Sequence, residues 1–338
     1  MTHKSQKLAA LAMLKRSHEP IDLSTLAARI GSIPERTLRR WLKGWIDEGT
    51  IESQGKGRAT RYGVRKTATE PTASLKFLTG LDSDLKVSLI SQLRDLWTHN
   101  STAIEGNTLT LGDTHFVLEE GLTISGKPVK DHQEVIGHAK AIELLYQAVN
   151  EPLSESLVFD LHKAIQTEIV NDIYKPVGKW KLEPNGVYAI TKEGAQTFIE
   201  YALPSHVTML MTQLISYVNN IDIGALTINN AHLPYAKIHM GIVHIHPFWD
   251  GNGRIARLIA NLPLLKAGLP PLVIPQTQRR EYIQILANYQ IAVGQLSATS
   301  GVWPDIKQLK DFEQFCATVY VITKDLVENA RGIQLKRN

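Results

Sequence analysis

The sequence holds a single cysteine, Cys316, so no intrachain disulfide can form, which fits a reducing compartment. No apolar run approaches the ~18 residues of a membrane helix, so no membrane partner is expected. Leu8 to Leu14 is apolar and follows two lysines, but Lys15-Arg16 comes at once and no cleavage site follows, so it reads as a helix of a cytoplasmic protein. Low-complexity tracts and internal repeats are also missing, which excludes repeat architectures. Acidic residues are scarce in residues 1–66, where 14 Lys and Arg face 6 Asp and Glu. The remainder is mildly acidic, and the 338 residues suffice for two or three domains. A basic first fifth on an acidic body suggests a separate module facing nucleic acid.

The most informative stretch is His246-Pro247-Phe248-Trp249-Asp250-Gly251-Asn252-Gly253-Arg254-Ile255-Ala256-Arg257. Ala231 to Ile245 before it reads as a helix, because Ile238, Met240, Ile242, Val243 and Ile245 lack strand-like alternation. Arg254 to Lys266 after it also reads as one helix, with Ile255, Leu258, Ile259 and Leu262 on one face and Gly268 then Pro270 as the stop. A glycine-led loop at a helix N-terminus offers backbone N–H groups and partial positive charge to an anion. Arg254 and Arg257, three apart, add guanidinium forks suited to a polyphosphate. Asp250 offers hard oxygens to Mg²⁺, and His246 can act as a base near neutral pH.

This stretch resembles the Fic-domain signature H-P-F-x-[DE]-G-N-G-R-x-x-R at every fixed position. Fic proteins typically move AMP from ATP to a hydroxyl side chain of a target protein. The resemblance implies His246 as the base for the target hydroxyl and Asp250 as the Mg²⁺ ligand. It implies the Gly251-Asn252-Gly253 backbone as anion hole and Arg254 and Arg257 on the phosphates of ATP. Tyr282, in a helix from Arg279 to Leu286, is the best match for an aromatic side chain near adenine, and Gln290 is a second candidate.

A second stretch, Ser101-Thr102-Ala103-Ile104-Glu105-Gly106-Asn107, ends a helix that begins at Leu85. It resembles the inhibitory motif [ST]-x-x-x-E-[GN] of Fic proteins, with Ser101 and Glu105 on one helical face. The resemblance implies that Glu105 pairs with Arg257 and occupies space needed by the γ-phosphate, leaving the α-phosphate badly placed. The alternative is a solvated Glu105 at a helix end. Further helices are read at Thr114–Glu120, Gln133–Val149, Leu157–Glu168 and Asp311–Leu326; Gly137 stands where many relatives would carry a polar residue. In Val177 to Ile190, the residues Trp180, Leu182, Val187, Tyr188 and Ile190 flank Asn185-Gly186, the strongest short hairpin signal. The resemblance assigns this hairpin, with Trp180, Val187, Tyr188 and Ile190, as a flap that holds an extended target segment by strand addition.

Near the start, helices are read at residues 5–16, Leu23–Ile30 and Pro34–Glu48, then two strands, Thr50–Glu52 and Thr60–Val64, around Gly55-Lys56-Gly57-Arg58. The pattern resembles a winged helix-turn-helix, whose third helix enters the major groove of DNA. Arg36, Arg39, Arg40 and Lys43 lie on the polar face of that helix and are expected to touch phosphates. A winged domain used for protein contacts is the alternative. The expected fold is mainly α: a small α+β winged helix domain (1–66), a linker (67–84), and a Fic helical core with a β-hairpin flap (85–338). The expected function is auto-inhibited protein adenylylation with ATP and Mg²⁺. The rivals are a DNA-binding regulator whose core senses nucleotide and a core that also removes AMP from its target. A homodimer is left open.

Overall fold

The computed structural model describes residues 3–16, 20–30, 33–47, 50–55, 60–64, 75–167, 172–191 and 194–337. They form two compact units, Met1–Glu70 and Pro71–Asn338.

The first unit runs α1 (His3–Arg16), β1 (Ile21–Asp22), α2 (Leu23–Ile30), α3 (Glu35–Asp47), β2 (Ile51–Gln54) and β3 (Arg61–Val64). The two-residue β1 gives no sequence signal, yet it pairs Ile21 with Tyr62 and completes an antiparallel sheet ordered β1-β3-β2. Helix α3 folds as its spacing demands: Leu38, Trp41, Leu42 and Trp45 are buried with Leu14 and Leu26. The opposite face is exposed and carries Arg36, Arg39, Arg40 and Lys43, with Arg39 held 3.4 Å from Glu35. Residues 56–59, which include most of the expected wing tip, and 65–74, which include the first part of the expected linker, lie outside the described residues.

The second part of that linker is built into the second unit. Leu75, Phe77, Leu78 and Leu81 are buried in its core, and α4 (Ser83–Ile104) starts directly afterwards. Apolar side chains one to three residues apart make these positions part of a core and not of a solvated tether. Then follow α5 (Leu111–Glu120), α6 (Val129–Gln147), α7 (Glu155–Ile165), β4 (Gly186–Ile190), β5 (Gln196–Glu200), α8 (Pro204–Asn219), α9 (His232–Ile245), α10 (Asn252–Ile259), α11 (Leu262–Lys266), α12 (Arg279–Val293), α13 (Lys310–Val319) and α14 (Val321–Arg337). Helix α9 is the axis: Ile238, Met240, Ile242 and Ile245 are all fully buried. A helix enclosed on every side has no polar stripe, which is why its sequence is apolar without a simple period. Gly137 lets α6 touch α7, since a Cβ there would sit 2.4 Å from the Ala164 carbonyl oxygen.

Three expectations are corrected. The stretch from Arg254 to Lys266 is two helices, α10 and α11, because buried Asn261 interrupts it. The Asn261 side chain donates to the carbonyls of Arg257 and Leu272, each at 3.0 Å, and accepts from the Leu272 N–H at 2.7 Å. The last helical stretch likewise breaks at Tyr320 into α13 and α14. The hairpin turn is also not Asn185-Gly186. A two-residue hairpin turn of the type that favours Asn-Gly needs positive φ at both positions, and neither residue has it. Gly186 instead opens β4 opposite Glu200, where a Cβ would meet the Ile199 carbonyl oxygen at 2.5 Å. The chain reverses between Thr191 and Ala195, where Gly194 has φ +85 and the Thr191 N–H donates to the Ala195 carbonyl at 2.8 Å.

Candidate active site

Helix α9 ends at His246, whose φ of 53 makes it the lone left-handed non-glycine among the described residues. Side chains seldom adopt that conformation, and it is tolerated where surrounding structure fixes it. Here the loop is clamped from both ends. Asn252 accepts the Phe248 N–H and donates to the Phe248 carbonyl, both at 2.9 Å, so its side chain closes the loop on itself. His162 on α7 stacks on Phe248 with ring centroids 3.8 Å apart. Its Nδ1 accepts the Gly178 N–H at 2.8 Å, which leaves Nε2–H to donate to the Asp250 carbonyl at 3.1 Å. Burial holds His162 at about 4, so the tautomer that bridges these two segments persists at neutral pH. Gly251, at φ 80, then admits the chain into α10.

The geometry favours His246 as a proton acceptor. A carbonyl can only accept, so the contact of Nδ1 with the Val243 carbonyl at 3.3 Å puts the ring hydrogen on Nδ1 and leaves the Nε2 lone pair free. Burial first, then the nearby Lys181, push its pKa down to about 3, so the ring is neutral over the physiological range.

Arg257 is buried and fully engaged. Its Nε donates to Ser101 Oγ at 3.0 Å, and Nη2 donates to the Ser101 carbonyl at 2.9 Å and to Glu105 Oε1 at 2.6 Å. Nη1 donates to the Tyr282 hydroxyl at 3.1 Å. Burial alone would lower the guanidinium pKa, but Tyr282 and Glu105 outweigh it and hold Arg257 above its ordinary value. Arg254 turns elsewhere: it lies 3.3 Å from Asp250 and donates to the Ile165 carbonyl, while its buried Nε has no partner. The two arginines thus do not reach one common point from the helix, as their spacing alone suggested. Asp250 itself is exposed, with a side chain 64 % accessible. Its exposed carboxylate can offer an oxygen to a hard cation.

Beside these groups opens a cavity of ≈ 640 Å³ lined by Glu105, Gly253, His246, Tyr201, Tyr282 and Gln290, and by Val187, Tyr188 and Ile190 of β4. Its size falls within the range of small-molecule and cofactor sites, about 300–1,000 Å³. Tyr282 faces it from full burial, and Gln290 is anchored by donating to the Val243 carbonyl at 3.1 Å. Val187, Tyr188 and Ile190 are exposed in β4. Trp180 is not on the hairpin: it packs on Phe159 at 4.5 Å and donates to Glu155 at 3.2 Å, partly buried against the core. No local pattern points to His162, Lys181 or Tyr201, because each meets the loop only through the fold.

Four further histidines stand buried around the site. His138, His162, His239 and His244 are each held below the ordinary imidazole range, in every case first by burial. Their folded pKa values lie below the unfolded one, so the unfolded chain takes up protons that the fold refuses. Stability is therefore complete above about pH 6.5 and is lost as pH falls, at about 1.4 kcal/mol per pH unit for each histidine. We expect Tm to drop steeply from about pH 7 to about pH 5 in calorimetry, and a flat Tm over that range would contradict this burial.

The fold and site define a helical domain with a histidine-led, glycine-lined loop at a helix N-terminus. The Fic/DOC family model matches residues 152–264. A Fic domain containing signaling protein from Bacteroides thetaiotaomicron has 30% sequence identity, with the match covering 78% of this chain and 96% of that one at a TM-score of 0.65. The chain belongs to the Fic/DOC family. Protein adenylyltransferase fic-1 from Caenorhabditis elegans is 32% identical over 191 residues, which are 55% of this chain and 35% of that protein. The structure of Fic-1 from the same organism matches at 25% identity and a TM-score of 0.52, covering 74% of this chain and 65% of that one. The chain thus spans about a third of the length of the curated relatives it matches. Among the described residues no helix is long and apolar enough to cross a membrane.

Proposed function

We propose that the second unit is a protein adenylyltransferase held off by Glu105. The observation that supports this reading best is the shared cavity: His246 with Nε2 free and Glu105 bound to Arg257 line the same space. ATP enters with adenine toward Tyr282 and Gln290 and its phosphates over the first turn of α10, where N–H groups lack acceptors. A target segment lies along β4 against Val187, Tyr188 and Ile190. Its hydroxyl oxygen attacks the α-phosphorus, the proton passes to His246 Nε2, and pyrophosphate leaves. Asp250, exposed and beside the loop, would hold Mg²⁺, which supplies charge neutralisation on the phosphates when bound. Glu105 opposes all this by filling phosphate space and cancelling Arg257. Incubation with cell lysate, Mg²⁺ and ATP labelled at the α-phosphate should label a protein in the presence of Glu105→Gly. Absence of any labelled protein, the enzyme itself included, would refute the reading.

We further propose that the first unit is a winged helix domain that binds DNA, working in the cytoplasm. The exposed face of α3, with Arg36, Arg39, Arg40 and Lys43 opposite the buried tryptophans, supports it. Replacing Arg36, Arg39 and Arg40 together by Ala should remove most binding in a gel shift and flatten its salt dependence, because each phosphate contact releases counterions. A shift unchanged by the triple substitution would leave the unit a protein-contact module.

A further inference from the structure

The base of a proton transfer must be held in one plane, and His246 is held by hydrogen bonding only weakly. Its Nδ1 contact with Val243 is 3.3 Å long, at the edge of useful geometry. The ring of Tyr201 lies face to face with the imidazole, centroids 3.7 Å apart and planes 3° from parallel. Tyr201 follows β5 and is itself fixed: its N–H donates to the Asn185 carbonyl at 3.2 Å and its carbonyl accepts from Gln295 at 3.1 Å. Buried Lys181 places its ammonium 5.9 Å from the centroid of the same ring. Lys181 donates through Nζ to Asn185 Oδ1 at 2.6 Å and through its backbone N–H to the Pro247 carbonyl at 2.8 Å. One short network therefore joins the residue after His246, the chain entering β4 and the chain leaving β5.

We infer that Tyr201 is a positioning residue for His246. The inference rests on the reading of His246 as the base. Parallel stacking fixes the imidazole plane so that Nε2 points into the cavity and not toward Tyr201. After transfer, the π face of Tyr201 stabilises the imidazolium, as aromatic faces do for cations. Among the described residues, the charged and titratable groups near His246 include Lys181, Asp250 on the loop, the Tyr201 phenol and the Glu105–Arg257 pair, with Arg279, Arg280, Tyr188 and Tyr282 lining the same cavity. Burial pushes the phenol up to about 12, so Tyr201 stays neutral and acts through its ring.

The test uses the full chain in the Glu105→Gly background, with Tyr201→Phe and Tyr201→Leu. Tyr201→Phe keeps the ring and should keep kcat within about threefold of its parent, whereas Tyr201→Leu should lose about tenfold or more in kcat with KM for ATP little changed. Histidine NMR gives a readout without turnover: one Nδ1–H tautomer for His246 in the parent and in Tyr201→Phe, and a mixed signal in Tyr201→Leu. Equal kcat and equal tautomer content in Tyr201→Leu and Tyr201→Phe would overturn the inference. Should the Glu105→Gly parent transfer no AMP, the reading of the reaction fails, and the NMR comparison alone decides the positioning.

Discussion

His246→Ala is expected to abolish AMP transfer while leaving ATP affinity close to that of the parent. The imidazole faces the cavity with Nε2 free, and its remaining contacts are to Val243 and to the Tyr201 ring. None of the phosphate-facing groups depends on it: Arg257 is held by Ser101, Glu105 and Tyr282, and the loop is clamped by Asn252 and His162. Loss of a general base typically costs ~10²–10⁴-fold in rate. With the base neutral far below pH 7, the parent should also show no acid fall in rate near the ordinary imidazole pKa. Transfer at the parent rate by His246→Ala, or an ATP affinity lost together with the activity in titration calorimetry, would refute the assignment.

The second large effect concerns Glu105. Its carboxylate sits 2.6 Å from Arg257, and a Cβ at Gly253 would lie 2.5 Å from the same oxygen, so Glu105 reaches over the first turn of α10. That is where phosphates would bind. Glu105→Gly removes one of four hydrogen bonds that Arg257 donates and leaves the guanidinium held by Ser101 and Tyr282. The fold should persist and AMP transfer should rise, including modification of the enzyme itself. Arg257→Ala should lower transfer even in the Glu105→Gly background. If Glu105 acted only by ending α4, the loss of Arg257 would have no special effect, so the double substitution separates the two accounts. Equal labelling by the parent chain and Glu105→Gly would sink inhibition by this residue.

What could be read from the sequence was what lies close along the chain. The loop from His246 to Arg257 carries its chemistry within one turn and one helix start, and α3 displays its two faces at plain helical spacing. The pairing of Glu105 with Arg257, 152 residues apart, came from resemblance alone, since no local pattern encodes it. Asn185-Gly186 misled because the same dipeptide that suits a tight turn also suits the close approach of β4 to β5. Asn261 broke a helix through contacts with Leu272, which no helical period reveals. Lys181, Tyr201 and His162 have ordinary sequence surroundings and acquire their roles only where the fold lays them against the loop.

The central claim is that this site transfers AMP and not the terminal phosphate. The most direct measurement is to give the Glu105→Gly chain ATP carrying label at the α-phosphate, at the γ-phosphate or in the adenine ring, with Mg²⁺. The account predicts that α-phosphate and adenine labels become covalently attached to protein in equal amounts, that the γ-label leaves with pyrophosphate, and that His246→Ala attaches none. Retention of the γ-label on protein without adenine would contradict it.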